Sequence, residues 1–223
     1  LDTRNHLVPN LRAVWPDHPV QGLAIAADPD AWAENDAMCK AFLQCFTNAH
    51  LPLTRLIPCD ARNQEEIGSL LAHSGFVMLC GGHVPTQNRF FAQLGLPGLF
   101  HNYHGIVMGV SAGSMNAAQL VYAAPELPGE AADPGYCRWL SGLGLTRTRI
   151  LPHYQFIRED ILDGQRMEDI ALADSRRHHF LALPDGSYIL CADGHEALYG
   201  RAWYFADGTV DEINEDEDVL PLR

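Results

Sequence analysis

Apolar residues in the first half of the chain come in short unbroken runs separated by amphipathic stretches. The run "VQGLAIAAD" (20–28), closed by the turn signal Asp28-Pro29-Asp30, predicts a mostly buried strand. In the following "AWAENDAMCKAFLQCFTNAH", Trp32, Met38, Phe42, Cys45 and Phe46 recur at roughly helical spacing. The alternation then repeats. "LTRLIPCD", "FVMLCGG" and "GIVMGVS" predict strands; "NQEEIGSLLAHS", "PTQNRFFAQLGL" and "AGSMNAAQLVY" predict helices, the second entered through Pro85-Thr86.

Strand and helix in regular alternation imply an α/β fold, a doubly wound and largely parallel sheet with right-handed crossovers. The texture changes beyond residue 123. "AAPELPGEAADPGY" reads as loop, "GLGLTRTRILPHYQ" as a strand feeding a polar loop, and "REDILDGQRMEDIALA" as a helix. "FLALPDGSYILCADG" and "EALYGRAWYFADGTVDEI" predict antiparallel hairpin strands joined by Asp-Gly turns, and "NEDEDV" a solvated acidic end.

At 223 residues the chain suits one domain over 1–223, with core enough to need neither disulfides nor a metal. A net charge of -13 without a basic stripe argues against a nucleic-acid partner. The six cysteines include no C-x-x-C pair and are expected to be mostly reduced. No apolar run is long enough for a membrane span and the N-terminus has no signal-peptide pattern, so the expectation is a cytoplasmic protein without a membrane partner.

Open parallel sheets carry their sites at the carboxyl ends of the strands. Two features fall there, Gly81-Gly82 after the third strand and Ser111 after the fourth. Gly109-Val110-Ser111-Ala112-Gly113 fits G-x-S-x-G, which needs a strand before it and a helix after it to hold a hydroxyl up on a sharp turn. The plainer reading is a serine cap with glycines for packing, but the flanking strand and helix favour a nucleophile. Such a serine needs oxyanion donors. The amide of Ala112 supplies one, and the Gly81-Gly82 turn, bare of side chains, offers another. Among eleven histidines, His153 in "ILPHYQ" and His195 in "ADGHEA" are the contenders for the base. His101 and His104 have the spacing of a metal pair but no acidic or thiol partners nearby, so no metal is expected.

"LCGGHVPTQNRFFAQLGL", "IVMGVSAGSMNAA", "ILPHYQ" and "LPDGSYI" together resemble the peptidase E and cyanophycinase family of serine peptidases, with the class I glutamine amidotransferase-like fold. The resemblance runs from about residue 20 to near residue 210. It implies Ser111 as nucleophile, His153 as base, and the amides of Gly82 and Ala112 as oxyanion donors. The third member of the triad falls on Glu126 in "APELP" or Asp185 in "LPDG", with Glu126 slightly preferred. His83 stands where peptidase E commonly has Asn, which makes it a candidate ligand contact. Arg158 and Arg166 occupy the neighbourhood of the arginine with which peptidase E reads an aspartate, and Arg166 is the candidate for binding an acidic substrate. The implied function is hydrolysis of amide bonds in small peptides, acidic dipeptides among them, with no cofactor. The rivals are an amidase, esterase or acyl transferase, and a non-catalytic ligand-binding protein of the same fold.

Overall fold

The computed structural model describes residues 3–222. Their contacts sort into two compact units, one over Leu7–Asn116 and another joining Thr3–His6 to the chain from Ala117 onward.

The first unit opens with helix α1 (Leu7–Val14) and strand β1 (Val20–Ile25), followed by α2 (Trp32–Asn48), β2 (Leu53–Cys59), α3 (Ile67–Ala72), β3 (Phe76–Leu79), α4 (Val84–Gln93), α5 (Leu96–Phe100), β4 (Ile106–Gly109) and α6 (Ala112–Asn116). Its four strands pair in parallel in the order β2-β1-β3-β4. The chain therefore starts mid-sheet and winds outward both ways, so the crevice where the strand order reverses lies between the carboxyl ends of β1 and β3. All of β3 is fully buried, as its unbroken apolar run requires of a strand covered on both faces. Trp15, just past α1, packs its ring 5.6 Å from Phe46 and 5.1 Å from Phe76. On α2 the buried positions are Asn35, Cys39 and Phe46, whereas Trp32 is exposed beneath the Arg62 guanidinium. Cys59 and Cys80 are buried as well, and Cys137 and Cys191 of the second unit are exposed; all six thiols are free.

The second unit contains β5 (Leu120–Tyr122), β6 (Trp139–Ser141), β7 (Ile150–Leu151), α7 (Tyr154–Ile157), β8 (Ile161–Leu162), β9 (Gln165–Arg166), α8 (Met167–Asp174), β10 (Phe180–Ala182), β11 (Tyr188–Ala192), β12 (His195–Tyr199), β13 (Ala202–Ala206), β14 (Thr209–Asn214) and β15 (Val219–Leu222). One sheet runs β14-β13-β10-β7, with β10 and β7 parallel and the rest antiparallel; another runs β11-β12-β15. Its core is aromatic. Phe180 stacks 4.4 Å from Tyr122 and 5.0 Å from Phe205. The expected Asp-Gly turns join β11 to β12 at Asp193-Gly194 and β13 to β14 at Asp207-Gly208, both residues of each at positive φ.

Four expectations need correction. The helix after Ser111 stops at Asn116, and Leu120–Tyr122 is a strand. Its backbone is claimed elsewhere: the Ala117 carbonyl accepts the Leu145 N–H at 2.8 Å, and the Gln119 N–H donates to Thr146 at 2.9 Å. The stretch 158–166 is no helix; β8 and β9 form a hairpin around Asp163-Gly164, whose positive φ values (52° and 78°) suit Asp-Gly turn chemistry. The strand expected before His153 shrinks to Ile150–Leu151. The acidic residues 215–218 are exposed, yet β15 beyond them pairs with β12.

Candidate active site

Ser111 sits between β4 and α6 with φ 51°, a left-handed backbone that a non-glycine residue adopts only when its surroundings enforce it. The glycines two residues to either side allow the close packing around it. A Cβ on Gly109 would lie 2.6 Å from the Ser114 Cα, and one on Gly113 would lie 2.1 Å from the Leu79 carbonyl oxygen. The small residues of "GVSAG" thus allow α6 to start directly against the end of β3. The Ser111 carbonyl accepts the Ser114 hydroxyl at 2.5 Å and the Met115 N–H at 3.1 Å, which ties down the far side of the turn.

Within the same unit the Gly81-Gly82 turn runs alongside. A Cβ on Gly81 would stand 3.2 Å from the Ser111 Cβ and 3.9 Å from its Oγ. Gly82 is exposed, with φ 154°, and a Cβ there would stand 2.5 Å from that of Ala27, beyond β1. Close approach therefore requires glycine at 82 and leaves room at 81 only for a tight contact. The structure brings together Gly81, Ser111 and Ala112, the first residue of α6. His83 caps α4 in extended conformation, its Nδ1 2.8 Å from the Thr86 hydroxyl.

Sequence reasoning missed two residues beside this turn, Gln87 and Asn116, both fully buried. The Gln87 amide donates to the Cys80 carbonyl at 2.6 Å. The Asn116 amide donates to Gln87 Oε1 at 3.0 Å and to the Val84 carbonyl at 3.2 Å, and its own oxygen accepts from Asn88 at 2.9 Å. The available signal was Gln87 itself, which lies three residues from both Val84 and Phe90 on the buried stripe of α4.

In the second unit, β7 and β10 run parallel, so the segments leaving their carboxyl ends emerge at one sheet edge. His153 follows β7 and Asp185 follows β10. His153 holds a left-handed backbone, φ 60°, and its Nδ1 lies 2.6 Å from Asp185 Oδ1. A carboxylate only accepts, so the ring donates from Nδ1 and the neutral imidazole carries its lone pair on Nε2. The Asp185 N–H donates to Gln155 Oε1 at 3.1 Å, and the Tyr154 N–H to the Leu183 carbonyl at 3.1 Å, so the two loops are fastened on both sides of the pair. The turn is held from the N-terminus too. Buried Asn5 donates its amide to the Gly186 carbonyl at 2.9 Å, and accepts the Tyr188 hydroxyl on its own carbonyl and the Glu217 N–H on its side chain, both at 2.8 Å.

The remaining candidates lie differently. The carboxylate on His153 Nδ1 is that of Asp185, not of Glu126, which the sequence slightly preferred. Glu126 belongs to an exposed loop where its N–H donates to Glu130 Oε2 at 2.8 Å; burial around its own carboxyl, then the nearby Glu130, push that group up to about 7. The Arg166 guanidinium pairs with Glu168 and, at 3.3 Å, with Asp169; Glu168 also accepts the Tyr154 hydroxyl. Arg158 pairs with Glu159 at 3.2 Å. His195 opens β12, cross-strand from Ala192 in the sheet that does not contain β7 or β10. Among the described residues, no helix is long and apolar enough to cross a membrane.

The elbow, the double-glycine turn and the His-Asp pair can be set beside known proteins. The family model for peptidase family S51 matches residues 21–198. No curated protein matches the chain. Among solved structures, the crystal structure of a candidate peptidase E protein from Listeria monocytogenes EGD-e is similar over 94% of each chain, with a TM-score of 0.54 at 13% identity. That likeness is one of fold: a parallel sheet flanked by helices, with antiparallel strands toward the C-terminus. The family match spans most of the sequence, from β1 into β12, and with it the chain belongs to peptidase family S51, a family of serine-type peptidases.

Proposed function

We propose that the protein hydrolyses amide bonds of small peptides, with Ser111 as nucleophile, His153 as base and Asp185 as the acid that orients it. The observation that carries this reading is the left-handed backbone of Ser111 at the strand-to-helix turn, a conformation that costs free energy and is the one a nucleophile elbow requires. The 2.6 Å bond from His153 to Asp185 favours Asp185 over Glu126.

In this reading Ser111 Oγ attacks the scissile carbonyl carbon and His153 Nε2 takes its proton. The Gly82 and Ala112 N–H groups receive the oxyanion, and the imidazolium returns the proton to the leaving amine. Water then hydrolyses the acyl-serine by the same proton relay. Asp185 holds the tautomer and stabilises the imidazolium without being protonated itself. These steps need no metal or organic cofactor. Aspartyl dipeptides are the first substrate class to test; Arg166, the candidate for reading their carboxylate, pairs with Glu168 and Asp169. A cytoplasmic setting suits six free thiols.

A fluorophosphonate probe tests the reading. Wild type should label, Ser111→Ala should not, His153→Ala should label far more slowly, and His195→Ala should label like wild type. Aspartyl dipeptides assayed against simple amides and esters then separate a peptidase from an amidase or esterase. Labelling that survives Ser111→Ala, or depends on His195 instead of His153, overturns the assignment.

A further inference from the structure

We infer that Gln87 and Asn116 are positioning residues, a buried amide brace that fixes the two backbone N–H groups proposed to receive the oxyanion. The inference rests on the serine-peptidase reading of Ser111 and adds to it the means by which the donors are held.

An oxyanion site works only if its donors are already aimed before charge develops. The donor on Gly82 lies in a turn of two glycines, which have no side chains to anchor them and the greatest backbone freedom of any residue. The brace grips that turn from both ends. Gln87 takes the carbonyl of Cys80, the residue before Gly81, and Asn116 takes the carbonyl of Val84, the residue after His83. The second donor is the amide of Ala112, which opens a helix of only five residues, and Asn116 is the residue that ends that helix. The bond from Asn116 to Gln87 Oε1 therefore links the helix carrying one donor to the turn carrying the other. Asn88 occupies the remaining oxygen of Asn116, so donors and acceptors alternate along the whole chain of amides.

The chemistry of the pair supports a role in geometry. Burying an amide is costly unless its groups find partners. Two apolar side chains would fill the same space without that cost, but could not hold the Cys80 and Val84 carbonyls. Side-chain amides can, because each both donates and accepts.

The test compares fluorophosphonate inactivation of the full chain in wild type, Asn116→Leu and Asn88→Ala, separating the limiting rate from the half-saturating concentration. Leu51→Ala, in the buried core of the same unit, serves as a destabilised control. Asn116→Leu should lower the limiting rate by roughly ten- to a hundredfold, the scale of small misplacements of catalytic groups. Asn88→Ala, which removes the bond to the Asn116 oxygen, should lower it severalfold. The half-saturating concentration should stay within about twofold, and Leu51→Ala should keep the wild-type limiting rate. Should Asn116→Leu fail to fold, Asn88→Ala decides alone. Wild-type limiting rates in the brace variants, or losses equal to that of Leu51→Ala, overturn the brace while leaving Ser111 in place. Absence of labelling in wild type removes both.

Discussion

Gly113 and the Leu79 carbonyl meet so closely that a single added methyl would stand 2.1 Å from the oxygen. The helix after Ser111 is therefore seated on the backbone of β3 itself, with no intervening side chain. The obstacle is backbone, which has no rotamer with which to yield.

Gly113→Ala should lower stability by about 1–3 kcal/mol, the ordinary cost of overpacking, and should suppress fluorophosphonate labelling because the elbow must shift. A urea midpoint and a labelling rate check both halves. An unchanged midpoint would mean that α6 can slide on β3 freely.

Ser111→Gly should move stability the other way. Glycine adopts φ 51° without the steric penalty that serine bears there. After the entropy lost by glycine on folding, a net gain of about 1 kcal/mol is expected, alongside complete loss of labelling. A denaturant midpoint that rises while activity vanishes is the expected signature of strain kept for chemistry.

Asp185→Asn and Glu126→Gln separate the two carboxylates. Asp185→Asn removes the anionic acceptor on His153 Nδ1 and should reduce turnover by several orders of magnitude, as loss of a triad acid does; Glu126→Gln should retain most of it. The second variant also has a pH signature. With its carboxyl raised to about 7 in the folded protein, Glu126 binds its proton more tightly folded than unfolded. Its contribution favours the folded state at acid pH and is lost as pH rises from the ordinary carboxylate value through about 7. Urea midpoints of Glu126→Gln and wild type should therefore diverge toward alkaline pH, with the variant the more stable.

Arg62→Ala should expose a different dependence. Asp60, fully buried, is pushed up by burial, but hydrogen bonds from Arg62 and Asn35 outweigh this and hold it below the ordinary carboxylate value. A depressed acid stabilises the fold above its unfolded value and loses that contribution as pH falls through the folded one. The variant should unfold at lower urea than wild type at pH 7, and the gap should narrow below about pH 4 as Asp60 protonates. A gap independent of pH would assign Arg62 to packing over Trp32 alone.

The parallel half of the fold was legible because strands covered on both faces must be apolar throughout, as "FVML" is, and the helices between them carry their own spacing. Ser111 and Gly81-Gly82 stand out as candidates for the same reason, since open parallel sheets carry their sites at strand ends. Other features depended on partners distant in sequence. Asp185 lies 32 residues from His153, and only the parallel pairing of β7 with β10 puts the two at one edge. Residues 158–166 run straight into the helix that begins at Met167, yet the Asp163-Gly164 turn folds them into a hairpin. Gln87 and Asn116 look like ordinary polar positions until the fold buries them.

Asn5 ties the segment ahead of α1 to the turn that carries Asp185. Its side chain clasps Gly186, 181 residues further on, so a protease nick between His6 and Leu7 would slacken that turn. Under the proposed chemistry, such a cut would act as a dimmer on turnover while Ser111 and its elbow remained intact.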